Sequence, residues 1–312
     1  MKIVFLDSAT VGEDVSLSPI EALGELTKWP VTLPGQIRER VAQAEVIITN
    51  KVVVDRFAID SAPQLKLICV AATGTNNVDI DYAHKRGIPV KNVVGYSTES
   101  VLQLTFTLIL GLTGKLNYFD SYVKDGSYSK SNIYTNVIET FSEINGKRFG
   151  IIGMGNIGKR VASVSGLFGA DVSYYSTSGT NHCGEYPSVS LKELLSGSDI
   201  VSIHAPLNER TNNLITIEQL RWMKKSSILI NLGRGGIVNE QDLAFAVDQG
   251  IIAGAGVDVY VNEPFEQDHP YLHIRHKDRI LLTPHIGWAS VEARKRLVDI
   301  IASNIASLSP QI

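Results

Sequence analysis

The stretch Arg148-Phe-Gly-Ile-Ile-Gly-Met-Gly-Asn-Ile-Gly-Lys, residues 148–159, joins an apolar run to a helical run through three closely spaced glycines. In the pattern G-x-G-x-x-G, Gly153 permits a tight turn, Gly155 lets a pyrophosphate approach the backbone, and Gly158 lets helix and strand pack closely. The first N–H groups of the helix then face the phosphates. The stretch predicts a dinucleotide site; a purely structural turn or another adenosyl ligand are the alternatives. The residues between the glycines that belong to this predicted site are Met154, Asn156 and Ile157.

Short apolar runs alternate with helical or loop segments on both sides of this glycine loop. Such alternation is typical of βαβ units around a parallel sheet. The predicted strands before the loop are Lys2–Leu6, Val46–Thr49, Leu67–Val70 and Val90–Asn92. The second series is Arg148–Ile152, Asp171–Tyr175, Ile200–Ile203, Ser227–Asn231, Ala255–Val259 and Arg279–Thr283. The sequence therefore predicts an α/β protein with two doubly wound parallel-sheet domains, a Rossmann cofactor domain and a flavodoxin-like substrate domain.

Two helical stretches set the predicted domain boundaries. A long helix begins near Thr98, where Ser97 or Thr98 can cap it. The last stretch, residues 291–308, has an apolar stripe and follows the second series of strands, so we expect it to return to the first domain. The predicted substrate domain is discontinuous, residues 1–98 and 287–312, and residues 99–286 form the dinucleotide-binding domain.

Composition limits the partners and the compartment. The 312 residues are 44% hydrophobic and 20% charged, with a formal net charge of −3, which predicts no binding to nucleic acid or to an anionic membrane. The longest apolar helix candidate, residues 101–112, is too short to cross a bilayer. The two cysteines, Cys69 and Cys183, predict neither a disulfide framework nor a metal site, and they favour a cytoplasmic location.

The end of the second strand of a dinucleotide-binding sheet usually carries an acid that binds the ribose 2′-OH and repels a 2′-phosphate. Here that position falls at Ser176, followed by Thr177 and Ser178, and no arginine stands in place of the acid. Hydroxyl groups can serve a 2′-OH or a 2′-phosphate. We therefore expect NAD(H) or NADP(H) as cofactor, with NADPH accepted as well as NADH.

Three ionisable residues follow successive strands of the second series: Arg234, Glu263 and His285. Strand ends converge where doubly wound sheets bind ligands, so these three side chains can meet. Reduction of a 2-oxoacid requires a proton donor, which histidine supplies, with a carboxylate to fix its tautomer. Arginine grips a carboxylate with two parallel hydrogen bonds. Taken singly, a surface arginine, a helix-capping glutamate and a core histidine remain the alternative interpretations.

Several longer motifs occur in a fixed order along nearly the whole chain. After the glycine loop these are His204-Ala-Pro-Leu, Asn231-Leu-Gly-Arg-Gly-Gly, Gly256-Val-Asp-Val, Asn262-Glu-Pro and Thr283-Pro-His. In this order the chain resembles the D-2-hydroxyacid dehydrogenase family. Its motifs Ala72-Thr-Gly-Thr-Asn-Asn-Val-Asp, Gly95-Tyr-Ser-Thr-Glu-Ser-Val-Leu-Gln and His285-Ile-Gly-Trp-Ala resemble the glycerate dehydrogenase (hydroxypyruvate reductase) branch.

The resemblance implies a homodimer, D-stereochemistry and Arg234, Glu263 and His285 as the catalytic set. It also implies that backbone N–H groups around Thr73, Gly74 and Thr75 hold the substrate carboxylate. On the cofactor side it implies contacts from His204, Pro206 and Asp258, with Asp258 at the carboxamide. The long helix after Thr98 is expected in the dimer interface. Trp288 either forms one wall of the substrate pocket or only packs at the domain hinge.

The expected reaction is reduction of a small 2-oxoacid, hydroxypyruvate or glyoxylate, with His285 as proton donor. D-lactate and aromatic 2-oxoacid dehydrogenases remain alternatives, as does a nucleotide-sensing module of the corepressor kind that shares the scaffold. A formate-type enzyme is disfavoured because it pairs its histidine with glutamine. A phosphoglycerate-type enzyme is disfavoured because Val70 stands where an arginine is typical.

Overall fold

The protein is described from a computed structural model, in which residues 1–180 and 182–308 are defined. Its contacts divide the chain into two compact units. Unit 1 is Met1–Ser97 together with the C-terminal segment that begins at Trp288, and unit 2 is Thr98–Gly287. No helix in the described ranges is long and apolar enough to cross a membrane.

Short strands alternate with helices throughout both units. The strands are β1 Lys2–Phe5, β2 Glu25–Lys28, β3 Val46–Thr49, β4 Leu67–Val70, β5 Val90–Lys91, β6 Arg148–Ile152, β7 Asp171–Tyr175, β8 Ile200–Ile203, β9 Ile228–Asn231, β10 Gly254–Val257 and β11 Ile280–Leu282. The α-helices are α1 Ser18–Glu21, α2 Ile37–Val41, α3 Arg56–Asp60, α4 Ile80–Lys85, α5 Thr98–Thr113, α6 Leu116–Lys124, α7 Asn156–Leu167, α8 Leu191–Gly197, α9 Ile217–Trp222, α10 Glu240–Asp248 and α11 Val291–Ala306. Short 3-10 helices lie at Ser8–Thr10, Pro34–Gln36, Tyr128–Lys130, Pro270–His273 and Lys277–Arg279.

Several of these helices are capped at their first turn by a side chain that accepts a hydrogen bond from a backbone N–H. Asp55 accepts a hydrogen bond from the Ala58 N–H at the start of α3, and Ser190 with Glu193 forms a capping box at the start of α8. At the start of α11, Ser290 accepts a hydrogen bond from the Ala293 N–H. Each cap satisfies a backbone donor that has no partner inside its helix, which fixes where the helix begins.

Unit 1 is built on a parallel sheet with the strand order β2-β1-β3-β4-β5. This is the flavodoxin-like order of a doubly wound fold. Alternate residues of the central strands face two separate hydrophobic clusters, with Ile3 and Phe5 on one side and Val4 and Ile47 on the other. Helix α11 contributes Leu297, among other side chains, to the cluster that contains Phe5.

Unit 2 is built on a six-stranded parallel sheet with the order β11-β10-β9-β8-β6-β7. Its central strands are buried on both faces, as parallel strands covered by helices are. Phe149 and Ile151 face the cluster that includes α5 and α7, whereas Ile152 faces the opposite cluster. The predicted fold class of two doubly wound parallel sheets is confirmed.

Two details of the sheets differ from the sequence expectation. Strand β2 was not predicted, because it lies at a sheet edge and most of its side chains are exposed. Dinucleotide-binding sheets usually have a third strand outside the second. Here that strand is reduced to an isolated bridge between Tyr174 and Ser188, flanked by the hydrogen bond from Val189 N–H to the Tyr174 carbonyl (2.9 Å).

Candidate active site

The glycine turn between β6 and α7 has a different steric requirement at each glycine. Gly153 adopts a φ of +94°, which side chains other than glycine rarely adopt, and a Cβ there would lie 2.8 Å from the Ala205 nitrogen. A Cβ at Gly158 would lie 2.1 Å from the Gly153 carbonyl oxygen. A Cβ at Gly155 would meet nothing within 4 Å. The turn is therefore tightly packed on the protein side and open at Gly155, as a pyrophosphate cradle requires.

The other predicted residues of this loop lie on either side of the open position. Met154 is buried in the core of unit 2, and Ile157 is partly buried against the same cluster. Asn156 is exposed at the first position of α7. The N–H groups of this first helical turn have no partner inside the helix, so they are available to an anion.

Two buried polar atoms without a hydrogen-bond partner lie at the ends of the two strands that flank β6 in the sheet. They are the Ser176 hydroxyl after β7 and the Nδ1 atom of His204 after β8. The other ring nitrogen of His204 lies 2.8 Å from the Ser202 hydroxyl. Burial lowers the pKa of His204 to about 3, so the ring is neutral and can donate or accept one hydrogen bond. Unpartnered buried polar atoms are rare, and these two fit a polar ligand along the strand ends.

The loop after β8 also carries an arginine that sequence reasoning missed. Arg210 donates a hydrogen bond from Nη1 to the Ser178 carbonyl oxygen at 3.0 Å, so it reaches the loop that follows β7. The sequence pattern that predicts the ribose contact covers only the residues directly after β7. The contact depends on the position of the loop after β8, which also passes the glycine turn at Ala205, and no pattern local to Ser176 indicates it. Pro206, also predicted at the cofactor, is exposed in this loop.

His285 and Glu263 form a hydrogen-bonded pair. The Nδ1 atom of His285 lies 2.7 Å from Glu263 Oε2, and each side chain is 23% exposed. The other carboxylate oxygen of Glu263 accepts a hydrogen bond from the Tyr260 N–H at 3.1 Å, which orients the carboxylate. Because Nδ1 is held by Glu263, Nε2 is the ring nitrogen that remains for a reacting group.

Arg234 lies in the turn directly after β9 and is partly buried. Its Nη1 donates to the adjacent Gly233 carbonyl at 2.9 Å, and its own carbonyl accepts from the Asn231 side-chain amide at 3.2 Å. Strands β9, β10 and β11 are neighbours in the sheet, so Arg234, Glu263 and His285 follow the ends of adjacent strands. The topology thus brings the three predicted residues to one edge of unit 2.

Asp258 is almost fully buried and supports the loop that carries His285. Its carboxylate accepts hydrogen bonds from the Thr283 hydroxyl (2.6 Å) and from the N–H groups of Ile286 and Gly287 (2.8 Å each). Burial raises the pKa of Asp258, and these hydrogen bonds act in the opposite direction. Both oxygens are engaged by this loop, so the structure gives Asp258 a positioning role that the sequence did not indicate.

The predicted substrate loop of unit 1 follows β4. The Thr73 hydroxyl donates to the Val93 carbonyl (2.9 Å), and the Thr75 carbonyl accepts from the Val78 N–H (3.0 Å). Within the described ranges, the N–H groups of Gly74 and Thr75 donate no hydrogen bond. The loop is held by its side chains and carbonyls while these two donors stay available.

Trp288 is placed by its packing in unit 1. Its ring meets Tyr96 edge-on, with centroids 6.3 Å apart, and it is partly buried against the cluster that contains Phe5. Packing within unit 1 therefore explains the partial burial of Trp288 without a substrate. The expectation that Trp288 forms a wall of the substrate pocket therefore stays a prediction.

The site in unit 2 combines a glycine turn at the start of a helix with a histidine–carboxylate pair at the strand ends of the same sheet. This combination is typical of oxidoreductases in which a nicotinamide carries the hydride and a side chain carries the proton. Residues 106–287 match the family model described as D-isomer specific 2-hydroxyacid dehydrogenase, NAD binding domain. The chain belongs to this family and carries its NAD-binding domain.

Individual relatives cover nearly the whole chain. It is 34% identical to a hydroxypyruvate reductase from Blautia hydrogenotrophica, covering 98% of this chain and 96% of the relative. It is also 34% identical to a glyoxylate reductase from Thermococcus litoralis, covering 91% and 87%. A solved acyclic imino acid reductase in complex with NADPH and D-Arg is similar in structure, with a TM-score of 0.86, 27% identity, and coverage of 99% and 97%. The predicted family and its nicotinamide cofactor are confirmed.

Proposed function

We propose that the chain reduces a small 2-oxoacid, hydroxypyruvate or glyoxylate, to the D-2-hydroxyacid with NADH or NADPH. The observation that carries this proposal is the 2.7 Å contact between His285 Nδ1 and Glu263 Oε2 at the edge of the sheet where Arg234 also lies. Relatives named hydroxypyruvate reductase and glyoxylate reductase support the substrate class.

In this proposal His285 is the proton donor. Glu263 holds Nδ1, so the imidazolium delivers its proton from Nε2 to the carbonyl oxygen of the substrate, and the carboxylate stabilises the imidazolium until transfer. Arg234 binds the substrate carboxylate and polarises the adjacent carbonyl, because a guanidinium can donate two parallel hydrogen bonds to a carboxylate. The bound reduced nicotinamide supplies the hydride.

The cofactor-binding assignments follow from the strand ends of unit 2. The glycine turn from Gly153 to Gly158 is assigned to the pyrophosphate, and Ser176 with Thr177 to the adenine ribose. The buried Nδ1 atom of His204, which lacks a partner, supports its assignment to the cofactor together with Pro206. Asp258 keeps its proposed contact with the carboxamide, through a lone pair that its three bonds leave available.

The substrate-binding assignments in unit 1 rest on the family resemblance and on the available donors. The N–H groups of Gly74 and Thr75 can each donate to a carboxylate oxygen, and Thr73 fixes the loop by its bond to Val93. Trp288 is assigned to the side of the substrate that carries its substituent. A bulky ring there suits a short substituent such as the hydroxymethyl group.

We also propose that the protein acts as a homodimer in the cytoplasm. Residues 116–141 expose a group of large apolar side chains, Leu116, Val123, Tyr128, Ile133, Tyr134, Val137, Ile138 and Phe141. Exposed apolar groups of this size usually mark an interaction surface, and a second copy is the commonest partner. Both cysteines are free thiols, which is compatible with a reducing compartment.

The test is oxidation of NADH and NADPH by the purified protein with hydroxypyruvate, glyoxylate, pyruvate and phenylpyruvate. The expected result is fastest turnover of hydroxypyruvate or glyoxylate, with D-stereochemistry of the product. Faster turnover of pyruvate or phenylpyruvate would replace the proposed substrate by the lactate-type or aromatic alternative. Cofactor binding without turnover of any of the four would contradict the proposal and favour a nucleotide sensor.

A further inference from the structure

Arg210 is a cation placed at the loop that follows β7. Its Nη1 donates to the Ser178 carbonyl at 3.0 Å, and its backbone N–H donates to the Asn208 side chain at 2.9 Å, which fixes the start of the side chain. The residue is exposed, and no carboxylate within the described ranges forms an ion pair with it. Because its bonded partner is a neutral carbonyl, its positive charge remains available to an anionic ligand.

The surroundings of Arg210 are rich in hydroxyl groups. The buried Ser176 hydroxyl lacks a partner, and Thr177 beside it is partly buried. The Thr180 hydroxyl donates to the Ser178 hydroxyl at 3.0 Å. Residues 176–180 contain no acid. A ligand group bound here therefore meets one guanidinium and several hydroxyl donors, with no negative charge in this segment to repel an anion.

We propose that Arg210, with Ser176 and Thr177, binds the 2′-phosphate of NADPH, and that the protein therefore binds NADPH more tightly than NADH. The end of the second strand is where dinucleotide-binding sheets meet the adenine ribose. A guanidinium can hold a phosphate through two parallel hydrogen bonds, and a hydroxyl can donate a further one. The cation comes from the loop after β8, whereas an acid that selects NAD would follow β7.

This inference deepens the proposed function and rests on it only for the presence of a nicotinamide dinucleotide. Its test measures binding in the absence of any oxoacid. The dissociation constants of NADPH and NADH are measured by fluorescence titration for the unchanged protein and for Arg210→Ala. Arg221→Ala is the matched control, because Arg221 is an exposed arginine of the same unit on α9.

The unchanged protein is expected to bind NADPH about tenfold more tightly than NADH, a difference typical of one charge-assisted contact. Arg210→Ala should remove this difference by weakening NADPH binding about tenfold, while NADH binding changes less than about twofold. Arg221→Ala should leave both constants unchanged. Calorimetric titration with adenosine 2′,5′-bisphosphate and with AMP should show the same dependence on Arg210 without the nicotinamide.

A second variant tests the site from the opposite direction. Ser176→Asp places a negative charge beside the proposed phosphate position, so it should weaken NADPH binding and spare NADH binding. If Arg210→Ala changes both dissociation constants equally or neither, the inference is wrong. A protein that binds NADPH through Arg210 but turns over none of the tested oxoacids would retain this inference and lose the proposed function. Circular dichroism checks that each variant folds, and Arg210→Gln replaces Arg210→Ala if the latter does not.

Discussion

The backbone of His285 has a left-handed conformation, with a φ of +53°. Few residues other than glycine adopt this conformation, and histidine is among those that do so more often. The His285 N–H donates to the Thr283 carbonyl at 3.0 Å, so the chain turns sharply here and presents the ring to Glu263. A strained conformation at a polar side chain is a common feature of functional sites, and it supports the role proposed for His285.

Replacement of His285 by alanine removes the proposed proton donor. We expect kcat to fall by about two to four orders of magnitude, the usual contribution of a general acid. The dissociation constant of the reduced cofactor should stay unchanged, because the glycine turn is intact. Steady-state kinetics and fluorescence titration measure the two quantities. His84→Ala, an exposed histidine on α4, is the control, and equal activity of both variants would remove His285 from the mechanism.

Glu263→Gln tests the other half of the pair. In the proposed mechanism the carboxylate stabilises the imidazolium that donates the proton. Without its negative charge, kcat/KM for the best oxoacid should fall by about one to two orders of magnitude. Steady-state kinetics measure this, and fluorescence titration checks that the reduced cofactor still binds. An unchanged kcat/KM would show that Glu263 does not support the role of His285.

His204 gives the protein a predictable sensitivity to acid. Burial lowers the pKa of His204 to about 3, below the ordinary value of 6.5, so the unfolded chain takes up the proton first as the pH falls. Above pH 6.5 His204 is neutral in both the folded and the unfolded chain. Between pH 6.5 and pH 3 only the unfolded chain binds the proton, so the free energy of unfolding falls by about 1 kcal/mol per pH unit. Cofactor-free His204→Gln should therefore lose less stability between pH 6 and pH 4 in denaturant titrations. The matched variant His84→Gln should follow the unchanged protein; a slope shared by all three would contradict this.

At the scale of one element, two glycines of the turn between β6 and α7 have different roles, one in stability and one in cofactor binding. Gly158→Ala places a Cβ against the Gly153 carbonyl, so it should shift α7 and lower the thermal midpoint by several degrees, about 1 to 3 kcal/mol of overpacking. Gly155→Ala meets open space, so its midpoint should be unchanged while its cofactor affinity falls about tenfold or more. Calorimetry and fluorescence titration separate the two effects. The prediction is wrong if Gly155→Ala is the less stable variant.

The strands show which parts of the fold could be predicted from the sequence. Buried strands such as β3 and β4 are continuous apolar runs, and their predicted and observed bounds agree. The edge strand β2 has no such run, because most of its side chains are exposed and only Leu26 of this strand packs against a core cluster. The placement of Arg234, Glu263 and His285 after adjacent strands could be predicted, because parallel strand ends meet at one edge, and their catalytic roles stay predictions. The contact of Arg210 with Ser178 could not, because it depends on the course of a loop and has no local sequence pattern.

At the scale of the whole molecule, the exposed apolar side chains between residues 116 and 141 support the proposal of a homodimer. Tyr134 is 89% exposed and Ile138 is 86% exposed, which is unusual for large apolar residues so close together. Ile138→Glu should weaken the dimer at least about tenfold, because a buried unpaired charge costs more than 1.4 kcal/mol. Sedimentation velocity over a concentration series measures this. Leu167→Glu is the control, since Leu167 is 84% exposed outside this segment; monomers of the unchanged protein would contradict the proposal.

The three bonds that Asp258 accepts from Thr283, Ile286 and Gly287 have a consequence for protein design. The segment that contains His285 takes its shape from a carboxylate directly after the neighbouring strand β10, 25 to 29 positions earlier in the sequence. Residues 283–287 grafted alone into another parallel sheet would therefore not reproduce the orientation of the histidine. A transplant must include the end of β10 as well, so the smallest portable unit is a pair of adjacent strand ends.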